Sequence, residues 1–403
     1  MEGITGLLLI MNHGCIIPLD VFSAIMARSS AFTISSLMKT CHALYDEGPR
    51  HLLRVRDGFR LIHEKQMDSI VSFMFAGNGT RFASLKKLMV LGHYCALNHL
   101  NTTWKHDFIR LLSSPALNLD VLDFYGFLPF SRVDDGVCVA LSKLAPVRHL
   151  HLRTMNIACT TAILRCIPPG LISLAVVPRG NDGNTPRFLQ TIAKHSQTLE
   201  ELRWNLIGVA QYPVLPEAFD PPSNSPLPQF PRVRKFVAVC NESQPDALNT
   251  AALTEAFPNL SILDLAPAPE FSNDFYAFTD FIEPNSEEVR ERNQLEQLGS
   301  VSAKWGSLTE CSGELVHLYS LGLLCHVEQL KVWSTISCDE DMSMLRQVCD
   351  DTHPKHLFIR CVGPLRLLQA LYAAISDGVA CGTLDTLVVG FDGGEDGLSS
   401  VRP

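Results

Sequence analysis

The sequence predicts an α/β solenoid, in which short parallel strands alternate with helices along a curved array, preceded by a small all-α helical module. Three observations lead to this prediction. A motif of three aliphatic residues at positions i, i+3 and i+5 recurs over residues 85–389. Stretches with helical spacing separate its copies, and alternation of this kind is typical of a parallel sheet. Residues 16–60 have helical spacing throughout and contain no copy of the motif.

The repeated motif defines the predicted solenoid, which spans residues 80–395. Its copies follow one another at intervals of about 30 residues, which lies within the range of known repeat proteins. A unit of this length cannot bury its own apolar face, so it must stack on its neighbours. Clear copies begin at Leu85, Leu119, Val147, Leu171, Leu199, Leu260, Val327 and Leu384, and weaker ones at Val233, Leu295 and Pro354.

Two insertions interrupt the repeats. The first, near residues 211–231, is rich in proline and predicts a stiff surface loop, with a ligand for an aromatic-lined groove as the alternative. The second, near residues 271–293, combines several aromatic residues with a charged helix over 287–292, and we expect a satellite packing element there.

The amino-terminal module begins with a helix at Ile17-Pro18, where proline and the acidic Asp20 are typical of a helix start. A second helix is expected from Thr33, as its N-cap, to Tyr45, with Ile34, Leu37, Cys41 and Leu44 on one stripe. A third is expected near residues 49–55. A module of this size buries little surface, so part of its apolar surface should contact a partner or the first repeat.

Composition argues against several classes of function. A net charge of −9 and a pI near 5.9 disfavour nucleic acid as the main partner. The 13 cysteines are dispersed, odd in number and without a Cys-x-x-Cys pair, which indicates reduced thiols in a cytoplasmic or nuclear protein. The apolar run Ile4–Met11 is too short to cross a bilayer and lacks basic residues before it, so we expect neither a membrane anchor nor a signal peptide.

No catalytic or cofactor motif is present. The phosphate-loop, dinucleotide, zinc-protease and serine-hydrolase signatures do not occur. The acidic, glycine-rich tail at residues 390–397 lacks the ligand spacing of an EF-hand. His149 and His151 leave one strand face together, but a metal would need further ligands. We therefore expect a non-catalytic protein without cofactor or metal.

The strand pattern also predicts a binding face. Side chains alternate along a strand, so positions i+2, i+4 and i+6 of each copy should line the concave side of the solenoid. These positions mix charged residues with the aromatic and arginine types that dominate protein interfaces, which favours a protein substrate over a solvated face without a ligand. The predicted contacts are Asp123, Tyr125, His149, His151, Arg153, Glu201, Arg203, Lys331, Trp333, Phe358 and Arg360.

The amino-terminal module resembles an F-box, whose motif begins Leu-Pro-x-Glu and continues with two aliphatic residues and an Ile. Ile17, Thr33 and Leu44 depart from the family's Leu, Asp and Trp. The residues that carry the resemblance stand in the family's order: Ile17-Pro18, Asp20, Val21-Phe22, Ile25, Thr33-Ile34, Thr40-Cys41 and Leu44-Tyr45.

An F-box followed by leucine-rich repeats is a recurrent architecture, and the chain is similar to large sets of such proteins in mushroom-forming (basidiomycete) fungi. The resemblance implies that the helices dock the Skp-type adaptor of an SCF-type cullin ubiquitin ligase. The leucine-rich repeats would then hold a protein substrate. The residues implied to contact the adaptor are Pro18, Leu19, Ile25, Leu37 and Cys41.

Other interpretations remain open. The helices could only cap the first repeat of a non-catalytic leucine-rich-repeat scaffold, because the edge of that repeat must be covered in any case. The adaptor positions would then be ordinary core residues. An α/β enzyme whose strands mimic repeats is the third class, and it predicts a crevice at the carboxyl ends of the strands.

Overall fold

A computed structural model of the protein describes residues 9–10, 16–54, 59–61, 64–76, 79–91, 102–125, 135–155, 157–178, 188–205, 227–240, 249–267, 286–299, 305–336, 338–361 and 383–391. The chain forms two compact units, residues 1–171 and residues 172–403. The predicted boundary between helical module and repeats, near residues 60–80, falls inside the first unit. Most of both predicted insertions, and the tail beyond residue 391, lie outside the described residues.

The amino-terminal helices follow a short antiparallel pair of strands, β1 (Leu9–Ile10) and β2 (Ile16–Ile17). The helices are α1 (Leu19–Met26), α2 (Ala31–Met38) and α3 (His42–Leu52).

The prediction of one helix from Thr33 to Tyr45 is wrong. Ser30 caps α2, since its side chain accepts a hydrogen bond from the backbone N–H of Thr33, and Cys41 adopts an extended backbone before α3. Thr40 donates its hydroxyl to the carbonyl of Leu37 at 2.7 Å where α2 ends.

These helices nevertheless build the small core that their spacing predicts. The buried residues of the helical-module core are Phe22, Met26, Ile34, Met38 and Leu44. Leu19, Leu37 and Cys41 pack partly against it, and so does Phe73 from outside the module. Gly48 of α3 lies so close to Met38 that a Cβ atom there would overlap the Met38 side chain. The module therefore packs tightly within itself and extends its core into the following segment.

In the described part of the first unit, parallel strands lie in chain order, each hydrogen-bonded to the next. These are β3 (Phe59–Leu61), β4 (Lys87–Leu91), β5 (Val121–Tyr125) and β6 (His149–Met155). The helices between and after them are α4 (Glu64–Phe75), α5 (Thr102–Leu112), α6 (Asp135–Ser142) and α7 (Ile157–Cys166).

The motif residues of the first unit form its core. In register across β4, β5 and β6, the second motif position brings together Leu88, Leu122 and Leu150. All nine motif residues of these copies are at most 2% exposed. The motif thus marks the buried face of each strand, as the alternation of side chains requires. Strand β3 was not predicted, because three residues are too few to carry the motif.

The second unit continues the same pattern with parallel strands in chain order. Its described strands are β7 (Ser173–Pro178), β8 (Glu201–Asn205), β9 (Lys235–Cys240), β10 (Ile262–Pro267), β11 (Ser307–Gly313), β12 (His326–Ile336), β13 (His356–Cys361) and β14 (Thr386–Phe391). Its described helices are α8 (Phe188–Ile192), α9 (Thr250–Ala256), α10 (Ser286–Gly299), α11 (Leu315–Leu321) and α12 (Asp339–Thr352). The predicted α/β class, with parallel strands alternating with helices, is confirmed.

One predicted repeat is wrong. Leu295 and Leu298 lie in helix α10 and are 69% and 67% exposed, so they form no strand core. Glu, Arg, Gln and Leu are all good helix formers, and two leucines three residues apart satisfied the motif by chance. The strand at this place in the order is β11. It escaped prediction because Cys311 and Gly313 stand where the motif has aliphatic residues. A Cβ atom on Gly313 would lie only 2.8 Å from that of Leu265, so the neighbouring strand requires glycine there.

Buried amide side chains of helix α10 form hydrogen bonds with backbone groups at the end of helix α11. Asn293 donates to the carbonyl of Ser320 at 2.8 Å, and Gln297 donates to the carbonyl of Gly322 at 2.8 Å. Gln297 also accepts from the backbone N–H of Leu324 at 3.2 Å. The last carbonyls of a helix have no partner within that helix, so these amides replace solvent there. The described part of the second insertion thus packs against the repeats.

Candidate functional site

The helical module exposes apolar side chains as well as burying them. On α1, Val21 and Ile25 are 43% and 44% exposed, and on α2 Phe32 is 82% exposed. Val21 and Ile25 are four residues apart and therefore neighbours on the helix surface. Phe22 and Met26 on the same helix are buried. Helix α1 thus has one apolar stripe in the core and a second one directed outward.

The five positions implied to contact an adaptor divide between surface and core. Pro18 is exposed at the N-cap of α1, and Ile25 is exposed on its outward stripe. Leu19, Leu37 and Cys41 are half-buried against the helical-module core. Pro18 and Ile25 are therefore the accessible positions of the five, whereas substitutions at Leu37 and Cys41 would also disturb packing.

Arg81 attaches the module to the rest of the first unit. Its guanidinium lies over the rings of Tyr45 and Phe73, 4.8 Å and 4.3 Å from their centroids. It also donates to the backbone carbonyl of Phe73 at 2.8 Å, and the residue is only 6% exposed. Cation–π contacts are strongest where the cation is shielded from water. Arg81 therefore bridges helix α3 and helix α4, which carries Phe73.

A serine, a histidine and a glutamate meet between α1 and α3, but their geometry does not suit a catalytic triad. Ser23 Oγ lies 3.1 Å from His51 Nε2, and Glu47 Oε1 lies 3.4 Å from the same nitrogen. A triad needs the nucleophile and the acid on different ring nitrogens. Arg50 also donates to Ser23 at 2.8 Å. Burial, with Arg50 and Arg54 nearby, lowers the pKa of His51, so the cluster is a neutral polar link between the two helices.

In the first unit, the predicted binding face contains a buried carboxylate. Asp123 was expected to be accessible, but its side chain is only 3% exposed. Its Oδ2 lies 3.4 Å from His151 Nδ1 and 3.7 Å from an Arg153 nitrogen, whereas its buried Oδ1 has no hydrogen-bond partner in the described part of the chain. Tyr125 and His149 are half-buried and Arg153 is exposed. Asp123 therefore positions His151 and Arg153 and is not itself a surface contact.

In the second unit, several charges on the outward strand face are paired across neighbouring strands. Lys235 lies 2.9 Å from Glu201, and Lys331 lies 2.7 Å from Glu310. Ser312 donates to Asp264 at 2.8 Å. Such cross-strand pairs contribute little to stability where water reaches them, but they neutralise the face locally.

A register shift between β12 and β13 changes the outward face. Lys331 pairs with Phe358 and the next pair is Thr335 with Arg360, so β12 contains extra residues between them. Trp333 lies in this bulge and is 42% exposed. Bulges of this kind redirect side chains and are frequent at functional sites. The motif alone does not reveal such a bulge, because it specifies only the buried positions before it.

Strand β14 adds an apolar residue to the same face. Val388 pairs with Phe358 in register and is 39% exposed, and Phe358 itself is half-buried. Val388 is not among the predicted contacts, although it is position i+4 of the copy that begins at Leu384 and should therefore face outward. Trp333, Phe358, Arg360 and Val388 together are called the Trp333 patch below.

The described residues contain no candidate metal centre, that is, no group of three or more His, Cys, Asp or Glu side chains able to hold an ion. Burial raises the pKa of the Cys325 and Cys349 thiols to about 12 and raises that of Cys311 further. Since the thiolate is the reactive form, these cysteines are not nucleophiles. Within the described part of the chain, no helix has the length and apolar character needed to cross a membrane.

No protein-family model matches the chain, and no curated protein matches it.

Proposed function

We propose that this chain is a substrate-recognition subunit of an SCF-type cullin ubiquitin ligase. In this role the amino-terminal helices dock a Skp-type adaptor, through it a cullin, and the outward strand face holds a protein substrate. The chain itself binds and positions, and it catalyses no reaction.

The observation that carries this proposal is the outward apolar surface of α1 and α2. Val21, Ile25 and Phe32 are exposed although a separate set of apolar residues already fills the helical-module core. A module that served only as a cap would need apolar residues toward the repeats and polar ones elsewhere. Exposed apolar residues on a small helical module indicate a partner surface. Val21 and Ile25 are also positions at which the sequence resembles an F-box.

The alternative is that the helices only cap the repeats, and a different contact favours it. Phe73 of α4 packs on the helical-module core, and Arg81 lies between Tyr45 and Phe73. The module therefore packs against α4 and Arg81, as a cap would. Capping and adaptor docking use different sides of the helices, so the outward residues decide between the two functions.

Substitution tests the proposal better than deletion, because removal of the helices would expose the apolar side of Phe73. Binding of purified Skp adaptor to the full chain is measured by surface plasmon resonance. The variants are Ile25→Glu and Phe32→Glu, and the matched control is Val139→Glu, an equally exposed apolar position on α6 at 51%. We expect each of the first two changes to weaken binding at least about tenfold, since a charge on an interface core position is strongly unfavourable.

The control variant should bind as the unchanged chain does, and circular dichroism should show all variants folded. Failure of the folded, unchanged chain to bind the adaptor would refute the proposal and leave the capping function. Equal loss in the Val139→Glu variant would show that the loss is not specific to the module.

A further inference from the structure

We propose that the Trp333 patch binds an extended acidic peptide segment with one apolar or aromatic anchor residue. The anchor would lie against Trp333 and Phe358, and a neighbouring carboxylate would pair with Arg360. This inference rests on the proposed receptor function, since it names the class of substrate that the second unit would hold.

The first support is the place where the outward face changes from polar to apolar. Along one row of registered positions, β10, β11 and β12 present Asp264, Ser312 and Lys331. The next two strands present Phe358 and Val388 in the same row. Phe358 is half-buried and Val388 is exposed, so neither belongs to the core, which lies on the opposite face. The row therefore ends in an apolar surface that a ligand can cover.

The second support is the bulge itself. Regular pairing of β12 with β13 would continue beyond Lys331, but it resumes only at Thr335. The interrupted ladder places Trp333 opposite the stretch from Phe358 to Arg360. The bulge interrupts backbone hydrogen bonding around Trp333, and the tryptophan side chain is not buried in return. A role in binding explains why an exposed tryptophan lies in such a bulge.

The third support is charge. The outward positions i+2, i+4 and i+6 of the three copies in β12, β13 and β14 are nine residues. None of these nine is acidic, although the chain has 42 acidic and 33 basic residues. Lys331 is neutralised by Glu310. Arg360 is exposed, and no ion pair or hydrogen bond of its guanidinium occurs in the described structure. The nine positions are Gln329, Lys331, Trp333, His356, Phe358, Arg360, Thr386, Val388 and Gly390.

Gly390 leaves room for this contact. It pairs with Arg360 in register, and a Cβ atom added to it would lie 3.8 Å from Arg360 Cγ. With no side chain there, one flank of the arginine stem is uncovered. A carboxylate is the natural partner of such a guanidinium, because the two form paired charge-assisted hydrogen bonds.

The test uses the full chain and three pools of fluorescein-labelled ten-residue peptides. One pool has acidic flanks around an apolar or aromatic centre, the second has lysine flanks around the same centres, and the third has acidic flanks around serine. Binding is measured by fluorescence polarisation at low and high salt. We expect the first pool alone to bind, and more weakly at high salt.

Variants localise the binding. Trp333→Ala and Arg360→Glu should each weaken binding of the first pool at least about tenfold. The matched controls are Arg292→Glu, an exposed arginine on α10, and Leu295→Ala, an exposed apolar residue on the same helix. Both controls should bind as the unchanged chain does. Equal binding of the lysine or serine pool, no binding of any pool, or full binding by Trp333→Ala would overturn the inference.

Two further readouts distinguish peptide binding from adaptor binding and from self-association. Adaptor binding is measured on the same samples. An unchanged chain that binds adaptor but no peptide refutes the inference and leaves the proposed function standing, whereas Trp333→Ala should keep adaptor binding while it loses peptide binding. Conversely, peptide binding without adaptor binding refutes the receptor function only. Sedimentation velocity tests for a second copy of the chain as the occupant, and a dimer that Trp333→Ala dissociates would also overturn the inference.

Discussion

Acid should destabilise the second unit through a single buried histidine. His195 is fully buried in a short 3-10 turn after α8, and neither of its ring nitrogens has a hydrogen-bond partner among the residues that the structure describes. Burial, helped by the neighbouring Lys194, lowers the pKa of His195 from 6.5 to about 4. The folded chain therefore holds the ring neutral at pH values where the unfolded chain would protonate it.

The sign and size of the effect follow from linkage. In the unfolded state His195 binds a proton below pH 6.5, whereas in the folded state it does so only below about pH 4. The contribution of the neutral ring to folding stability is therefore complete above pH 6.5 and is lost as the pH falls toward 4. The difference between the two pKa values corresponds to a loss of about 3 kcal/mol at most. About 2 kcal/mol of this should already be lost at pH 5.

The perturbation is His195→Leu, with His195→Gln as the matched variant that stays polar but does not titrate. The assay is hydrogen exchange followed by mass spectrometry on peptides from residues 188–200, converted to opening free energies at pH 7 and pH 5. Between these pH values the unchanged chain should lose about 2 kcal/mol more than either variant. The leucine variant should also be at least as stable at pH 7, since it removes two unsatisfied nitrogens. An equal loss in all three chains would refute the reasoning.

Other expected outcomes concern Arg81 and the cysteines. Arg81→Ala should lower the free energy of unfolding of the first unit by about 2 kcal/mol, because it removes two ring contacts and a buried hydrogen bond, and Arg81→Lys should recover only part of this loss in denaturant unfolding. In the native chain, iodoacetamide should label the exposed Cys338 well before the buried Cys325 and Cys349, as mass spectrometry of timed samples would show. Prior labelling of the buried pair would contradict the placement of these thiols.

The two proposed surfaces differ in how they were found. The outward stripe of α1 follows from helical spacing, since Val21 and Ile25 cannot share the direction of Phe22 and Met26. The Trp333 patch depends on a register shift that is visible only when β12 is paired with β13. Because the two surfaces have independent origins, adaptor binding and peptide binding can be tested separately.

The wrong predictions occur where one local sequence pattern is compatible with more than one structure. Two leucines in α10 matched the motif, because spacings of three occur on helices as well as in the repeat. Strand β11 was missed because a cysteine and a glycine replaced aliphatic residues. The glycine is required because a Cβ atom there would overlap Leu265. Thr33 has the character of an N-cap, but Ser30 takes that place one turn earlier. Contacts distant in sequence settled the first two cases, whereas the third was settled by the local hydrogen bond from the Thr33 N–H to Ser30.

By itself the sequence determined the class of the fold, the buried positions of most strands and the apolar excess of the amino-terminal helices. Those properties depend on side-chain alternation and spacing, which are local. Only the tertiary structure decided that Asp123 is buried, that Arg81 joins the helices to α4, and that Trp333 emerges beside Phe358. Burial and register depend on which segments become neighbours, and residues far apart in the chain determine that together.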